Sequence, residues 1–244
     1  MRILDLLQQS KHKLLSLLID PDKADTELLL QRIAAAEKAH VDLLLVGGSL
    51  ITSGNMADKL SLIRQNTHIP IALFPGNSTH FHESADAILF LSLISGRNAD
   101  LLIGNHVHIA AKIKNSGMEV IPTGYMLVES GKLTTAQYMS ATLPIPSDKP
   151  DVAVATAIAG ELLGLKCIYL DAGSGAQNTV PTSMVAAVKS QIDLPLIVGG
   201  GIRSMQQAQE LALAGADLIV IGNAAEENPE IVNQMASLLH QIKR

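Results

Sequence analysis

The chain has 244 residues, 48% hydrophobic and 17% charged, with a formal net charge of −5. That apolar fraction excludes global disorder, and a single cysteine, Cys167, excludes a disulfide scaffold and fits a reducing cytoplasm. The negative balance, with three Tyr, three Phe and no Trp, argues against a nucleic-acid surface built from basic patches and stacking rings.

Residues 14–20 read as a strand, and 26–39 as a helix whose apolar Leu29, Ile33 and Ala36 share one face. A strand over 42–46 precedes a helix over 56–66, and strands over 69–74 and 87–93 follow. Helix 99–115, strand 119–122, helix 152–163 and strand 166–171 come next. The chain closes with helix 182–191, strand 194–198, helix 205–214, strand 217–221 and helix 229–243. The strands are near-continuous apolar runs, which is how strands covered on both faces look. Eight βα units in this length predict one (β/α)8 barrel domain over 1–244, with a doubly wound sheet as the alternative.

Two stretches break the pattern. Residues 75–85 carry Pro, Gly and polar residues and leave too little room for a packed helix, so the third helix is expected to be missing or replaced by an extended loop. Residues 140–151 hold Pro144, Pro146 and Pro150 and read as an ordered excursion. No apolar run approaches the roughly eighteen residues of a membrane span. The opening Met-Arg-Ile-Leu-Asp-Leu-Leu reads as no secretory leader.

In such barrels the chemistry lies at the carboxyl ends of the strands. The last three strands run into glycine: Tyr169-Leu-Asp-Ala-Gly-Ser-Gly175, Ile197-Val-Gly-Gly-Gly-Ile-Arg203 and Ile219-Val-Ile-Gly-Asn223. Glycine lets backbone amides approach a ligand, and three such loops side by side, each leading to a helix, predict a phosphate site. The first strand ends in Asp20-Pro-Asp-Lys23. Asp20 is either a ligand for a hard cation or part of a turn whose neighbours cap the next helix. Ser49, after the second strand, either joins that cation or caps a helix. Asp171 is either a general base beside a bound phosphoester or the residue that orients its own loop. The pairs His80/His82 and His106/His108 find no further ligands for zinc and read as surface or loop histidines. Glu226 to Glu230 reads as a charged helix start.

Together these motifs resemble the geranylgeranylglyceryl phosphate synthase family, which includes the heptaprenylglyceryl phosphate synthases. The carriers are Leu18-Ile-Asp-Pro-Asp-Lys23, Val46-Gly-Gly-Ser-Leu50, Leu89-Phe-Leu-Ser-Leu-Ile-Ser-Gly-Arg-Asn98, Ile121-Pro-Thr-Gly-Tyr-Met126, and the three glycine loops. The resemblance covers nearly the whole chain. It implies a modified barrel without a third helix, and a prenyltransferase of ether-lipid synthesis. Such an enzyme joins sn-glycerol 1-phosphate to a polyprenyl diphosphate, geranylgeranyl in class, and releases diphosphate. It further implies Mg2+ on Asp20 and Ser49, and glycerol phosphate on Tyr169, Leu170, Asp171, Ala172, Gly173, Ser174, Gly175, Gly200, Gly201, Gly222 and Asn223.

Tyr125, placed just past the fifth strand, is expected to wall the prenyl groove or else to close the top of the core. The family pattern has Glu where this chain has Asp171, one methylene shorter. Either the backbone moves inward, a water relays the proton, or activity is reduced. A homo-oligomer, a cytoplasmic location and transient membrane contact for the lipid product complete the expectation. The competing readings are another phosphate-binding barrel enzyme (an isomerase or a flavin-phosphate oxidoreductase) and a non-catalytic barrel holding a prenyl phosphate.

Overall fold

A computed structural model describes residues 2–23, 25–52, 56–228 and 230–244. Eight parallel strands close into a barrel in chain order: β1 Leu14–Ile19, β2 Leu43–Gly48, β3 Ile71–Pro75, β4 Ala87–Leu93, β5 Glu119–Leu127, β6 Cys167–Asp171, β7 Leu196–Gly199 and β8 Leu218–Ile221. Closure is made by β8 on β1, with Leu14 opposite Leu218 and Leu17 opposite Ile221. The helices are α1 Ile3–Gln9, α2 Thr26–Lys38, α3 Met56–Asn66, α4 Asn105–Ser116, α5 Thr135–Ser140, α6 Pro150–Leu162, α7 Thr182–Lys189, α8 Met205–Leu213, α9 Asn223–Glu227 and α10 Glu230–Gln241. None of them is long and apolar enough to cross a membrane.

The continuous apolar runs resolve into two cores because strand side chains alternate. Leu43, Leu45, Tyr169 and Ile197 fill the barrel interior, while Leu44, Val46, Leu170 and Val198 pack under the surrounding helices. Helix α1 plugs the amino-terminal end with Ile3 and Leu7. Its free amides at Ile3 and Leu4 donate to the Glu119 carboxylate at 2.7 and 3.1 Å, which satisfies donors that no helical turn can pair.

Between β3 and β4 the described chain forms one 3-10 turn, Ser78–His80, in place of an α-helix. Asn77 caps that turn, its side chain accepting from the Thr79 amide at 2.8 Å. Strand β5 runs five residues further than the pattern suggested, so Tyr125 lies inside it and not beyond it. Pro122 is tolerated there because its carbonyl still accepts from Lys166 N at 2.7 Å, and the N–H it lacks would face the same side, ahead of the start of β6, so the pairing with β4 loses nothing. The expected helix over 99–115 begins as a π-helical turn, Asp100–Gly104. His80 and His106 are buried, contrary to the surface reading. His80 Nδ1 accepts from Gly76 N at 3.1 Å, and His106 packs edge-on against Phe90 with centroids 4.3 Å apart.

Candidate active site

Two cavities of about 300 and 310 Å3 open at the carboxyl end of the barrel and share the wall made by Gly48, Ser49 and Phe74. The polar one collects Asp20 after β1, Ser49 after β2, and the loops after β6, β7 and β8 with Ser174, Gly175, Gly200, Gly201, Gly222 and Asn223. Residues separated by up to 203 positions, Asp20 and Asn223, thus meet because every strand of a parallel barrel delivers its carboxyl end to one face.

Period-two alternation decides which residues of the β6 motif reach this cavity. Tyr169 and Asp171 point inward and line it, whereas Leu170 and Ala172 are buried on the helix side and offer it no side chain. Neither Gly173 nor Ala172 has a free amide, since Gly173 N donates to Asp171 Oδ1 at 2.7 Å and Ala172 N to Gly199 O at 3.0 Å. Those three positions, expected to bind substrate, offer the cavity no side chain, and the Ala172 and Gly173 amides are already paired. Residues 172–181 separate β6 from α7, so the amides around Ser174 do not sit at a helix start.

Asp171 sits at the boundary of the polar cavity, buried, with Oδ2 accepting from the Tyr125 hydroxyl at 2.5 Å. Burial pushes its carboxyl above the ordinary range, against the lowering effect of the hydrogen bonds from Tyr125 and Gly173. Burial, and then the neighbouring Asp171 charge, raise the Tyr125 phenol well above its usual value, so Tyr125 donates throughout the physiological range. The Tyr125, Tyr169 and Phe74 rings pack with centroids 5.4 to 5.8 Å apart. Half of a scarce aromatic complement is spent on this one partition between the cavities.

The second cavity is an apolar trough. Ile88, Phe90, Leu93, Leu101, Ile109 and Met139 line it together with the Tyr125 ring. Its floor includes the outer face of β4, and the turn Ser78–His80 beside it leaves that face open where a full helix would cover it. Tyr125 is thus a buried ring that also forms part of the wall of the trough.

Lys23 has a place that sequence reasoning did not assign. Its Nζ lies 3.4 Å from Ser174 Oγ, 3.5 Å from Asn223 Oδ1 and 3.6 Å from Asp20 Oδ2, bridging the first strand to the glycine loops. The only signal available was its position three residues after Asp20. A methyl placed on Gly175 would lie 3.8 Å from Lys132 Nζ, so a second ammonium faces the same loop. Arg203 donates from Nη2 to Ala176 O at 2.6 Å and braces that loop from behind. A chain of net charge −5 thus sets two ammonium groups, Lys23 and Lys132, beside the glycine loops, while the acids Asp20, Asp22 and Glu226 line other parts of the same cavity.

A model of the PcrB family matches residues 7–240. The chain belongs to that family. A geranylgeranylglyceryl phosphate synthase from Spirosoma linguale is 48% identical over 244 residues, covering 100% of this chain and 98% of that protein. One from the archaeon Korarchaeum cryptofilum is 38% identical over 237 residues, covering 97% of each. Among solved structures, the (S)-3-O-geranylgeranylglyceryl phosphate synthase of Thermoplasma acidophilum, in complex with its substrate sn-glycerol-1-phosphate, superposes with a TM-score of 0.93. It is 31% identical, and the match covers 99% of this chain and 100% of that one.

Proposed function

We propose that this PcrB-family barrel transfers a polyprenyl group, geranylgeranyl in class, from its diphosphate to the C3 hydroxyl of sn-glycerol 1-phosphate. The observation that carries the reading is the pair of unlike cavities, one polar and glycine-lined with the Lys23 ammonium over its loops, the other apolar, meeting at a wall with Asp171 beside it. Glycerol phosphate fits the first, with its phosphate at Ser174, Gly200, Gly201, Gly222 and Asn223 under the Lys23 ammonium. The trough takes the isoprenoid, each buried CH2 adding about 0.8 kcal/mol.

The donor set at Asp20 and Ser49 suits Mg2+: hard oxygen ligands, one of them a carboxylate, on a cavity wall. Gly48 keeps the space beside the carboxylate open, since a Cβ there would stand 3.5 Å from Asp20 Oδ2. When bound, the ion supplies charge neutralisation for the departing diphosphate. The chain's own residues do the rest. The glycine loops hold the acceptor hydroxyl near C1 of the prenyl chain, which replaces a bimolecular encounter with a fixed geometry. A C–O bond forms between the C3 oxygen and C1 as the C1–O bond to diphosphate breaks, and the diphosphate leaves with the electron pair. The hydroxyl proton passes to Asp171, whose raised affinity for it suits a base working near neutral pH. Because both Asp171 oxygens already accept hydrogen bonds, the proton reaches it through a lone pair not used by Tyr125 or Gly173, directly or across one water.

A homo-oligomer and a cytoplasmic site of action belong to the same reading. Exposed Val107 on α4 and Leu162 at the end of α6 offer apolar surface for a second copy or for brief contact with a membrane. The test is a transfer assay with labelled glycerol 1-phosphate and prenyl diphosphates of several lengths, with and without Mg2+. Mg2+-dependent ether formation is expected. Failure with every donor, in protein shown to be folded, would refute the reading.

A further inference from the structure

At the opposite end of the barrel, three residues far apart in sequence face one another. His12 precedes β1, Asp42 precedes β2, and His240 lies in the last turn of α10. Their potential ligand atoms all fall within 4.8 Å of one another, the one such group of three among the described residues. His240 Nε2 stands 2.9 Å from Asp42 Oδ2, and the His12 and His240 rings are 4.6 Å apart, tilted by 58°.

We infer that His12, Asp42 and His240 form a binding site for a divalent transition ion of the zinc class, which clamps the end of α10 to the entrances of β1 and β2. Three features support it. His12 Nδ1 faces the Lys13 carbonyl at 3.1 Å and donates to it, so in the neutral ring Nε2 keeps its lone pair; a backbone acceptor behind the ring is what orients metal-binding histidines. The Asp42 carboxylate is anchored by the Leu15 amide, 2.9 Å from Oδ2, and so is held in place without the ion. Two imidazoles and a carboxylate are a three-ligand zinc set that leaves a fourth position to water.

Ligand atoms about 2.0–2.1 Å from a tetrahedral zinc lie roughly 3.3 Å apart, so the Asp42–His240 spacing is already close. No separation need shrink by more than about 1.5 Å, which rotation of half-buried imidazoles can supply. The neighbouring cations do not oppose the ion, because Lys13, Lys189 and Arg244 are all engaged by Asp217. Backbone pairing of His12 with Lys243 and of Lys13 N with Ile242 O holds the two chain segments side by side at this point. The site is independent of the transferase reading, and its nitrogen donors disfavour Mg2+.

The experiment uses untagged full-length protein stripped with chelator. Co2+ is titrated for the visible absorption of a tetrahedral nitrogen–oxygen site, and Zn2+ is followed by thermal melting. One equivalent of Co2+ should develop the bands. Zn2+ at a hundredfold excess over its Kd should raise the midpoint by roughly 5–10 °C, and Mg2+ should do neither. His12→Gln and His240→Gln should each abolish the bands and the shift. His12→Gln carries the test if losing the Asp42 partner unfolds the other variant. Absence of both signals in the parent protein, or their retention in a folded single variant, would overturn the proposal.

Discussion

Gly200 is the point where the glycine loops can be tested most sharply. Its φ is +87°, and a methyl there would stand 2.5 Å from Gly173 N, 2.7 Å from Asp171 Oδ1 and 2.8 Å from Ala172 N. The first two atoms are the ends of the hydrogen bond that orients the Asp171 carboxylate. Left-handed backbone costs a non-glycine residue about 1–2 kcal/mol, and overpacking against backbone adds about 1–3 kcal/mol. For a chain of this size each kcal/mol moves the midpoint by about 2–4 °C, so Gly200→Ala should melt roughly 4–20 °C lower. Gly117 provides the matched control. Its φ is +71°, yet a methyl there meets nothing within 4 Å, so Gly117→Ala should lose only the backbone share, roughly 2–8 °C. Differential scanning calorimetry gives the midpoints, and isothermal titration with glycerol 1-phosphate shows whether the loop has moved. Binding should weaken at least about tenfold in Gly200→Ala and stay unchanged in Gly117→Ala. Equal midpoints with equal affinity would refute the crowding argument.

Three other perturbations follow from particular contacts. Asp217 is fully buried, with Lys189 Nζ at 2.8 Å and Arg244 Nε at 2.7 Å. Asp217→Asn should cost about 3–5 kcal/mol in urea melts, because it leaves buried Lys13 and the partly buried Lys189 and Arg244 without their counter-charge. Burial alone would raise the Asp217 pKa, but the bonds from Lys189 and the Leu196 amide hold it below the ordinary value. Its contribution is therefore complete above about pH 4 and fades as pH falls through the depressed folded value, which a pH series of melts would show. The acid limb of kcat should lie above the ordinary carboxylate range, with activity lost as pH drops through Asp171. Tyr125→Phe should move that limb to higher pH, since it removes a hydrogen bond that favours the ionised carboxylate, and should leave prenyl diphosphate affinity nearly intact because the ring stays. Lys23→Met should weaken glycerol 1-phosphate about tenfold in titration calorimetry while the midpoint barely changes, the ammonium being partly exposed.

The architecture was legible because parallel strands buried on both faces must be apolar throughout, and Leu43 to Val46 or Ile168 to Leu170 can be read as little else. Helix ends carried less information. The capping box Thr134–Gln137 announces α5 in the sequence, yet a six-residue helix lacks the periodicity that would have drawn attention to it. Pro122 and Gly124 read as a strand end, but β4 and β6 pair with this stretch through Tyr125 and Leu127. Within the site, Asp20, Ser49 and the glycine loops announced themselves as the residues following apolar runs. Lys23 did not, because nothing local shows that it spans to Ser174 across the barrel mouth. Leu170 and Ala172 were grouped with the binding loop since the motif is contiguous; the alternation of side chains along a strand sends them to the other face. The Tyr125–Asp171 bond depends on the pairing of β5 with β6, and the His12–Asp42–His240 group on barrel closure, which join positions 46 and up to 228 residues apart.

The central claim, that two unlike cavities hold two substrates across the Asp171 boundary, is tested most directly by a crystal structure with both ligands. The ligands would be glycerol 1-phosphate and an unreactive prenyl thiodiphosphate. The account predicts phosphate on the loops at Ser174, Gly201 and Asn223, the isoprenoid along Phe90 and Ile109, and the C3 hydroxyl within one water of Asp171. Glycerol phosphate bound outside the polar cavity, or a prenyl chain lying anywhere other than the trough, would contradict it.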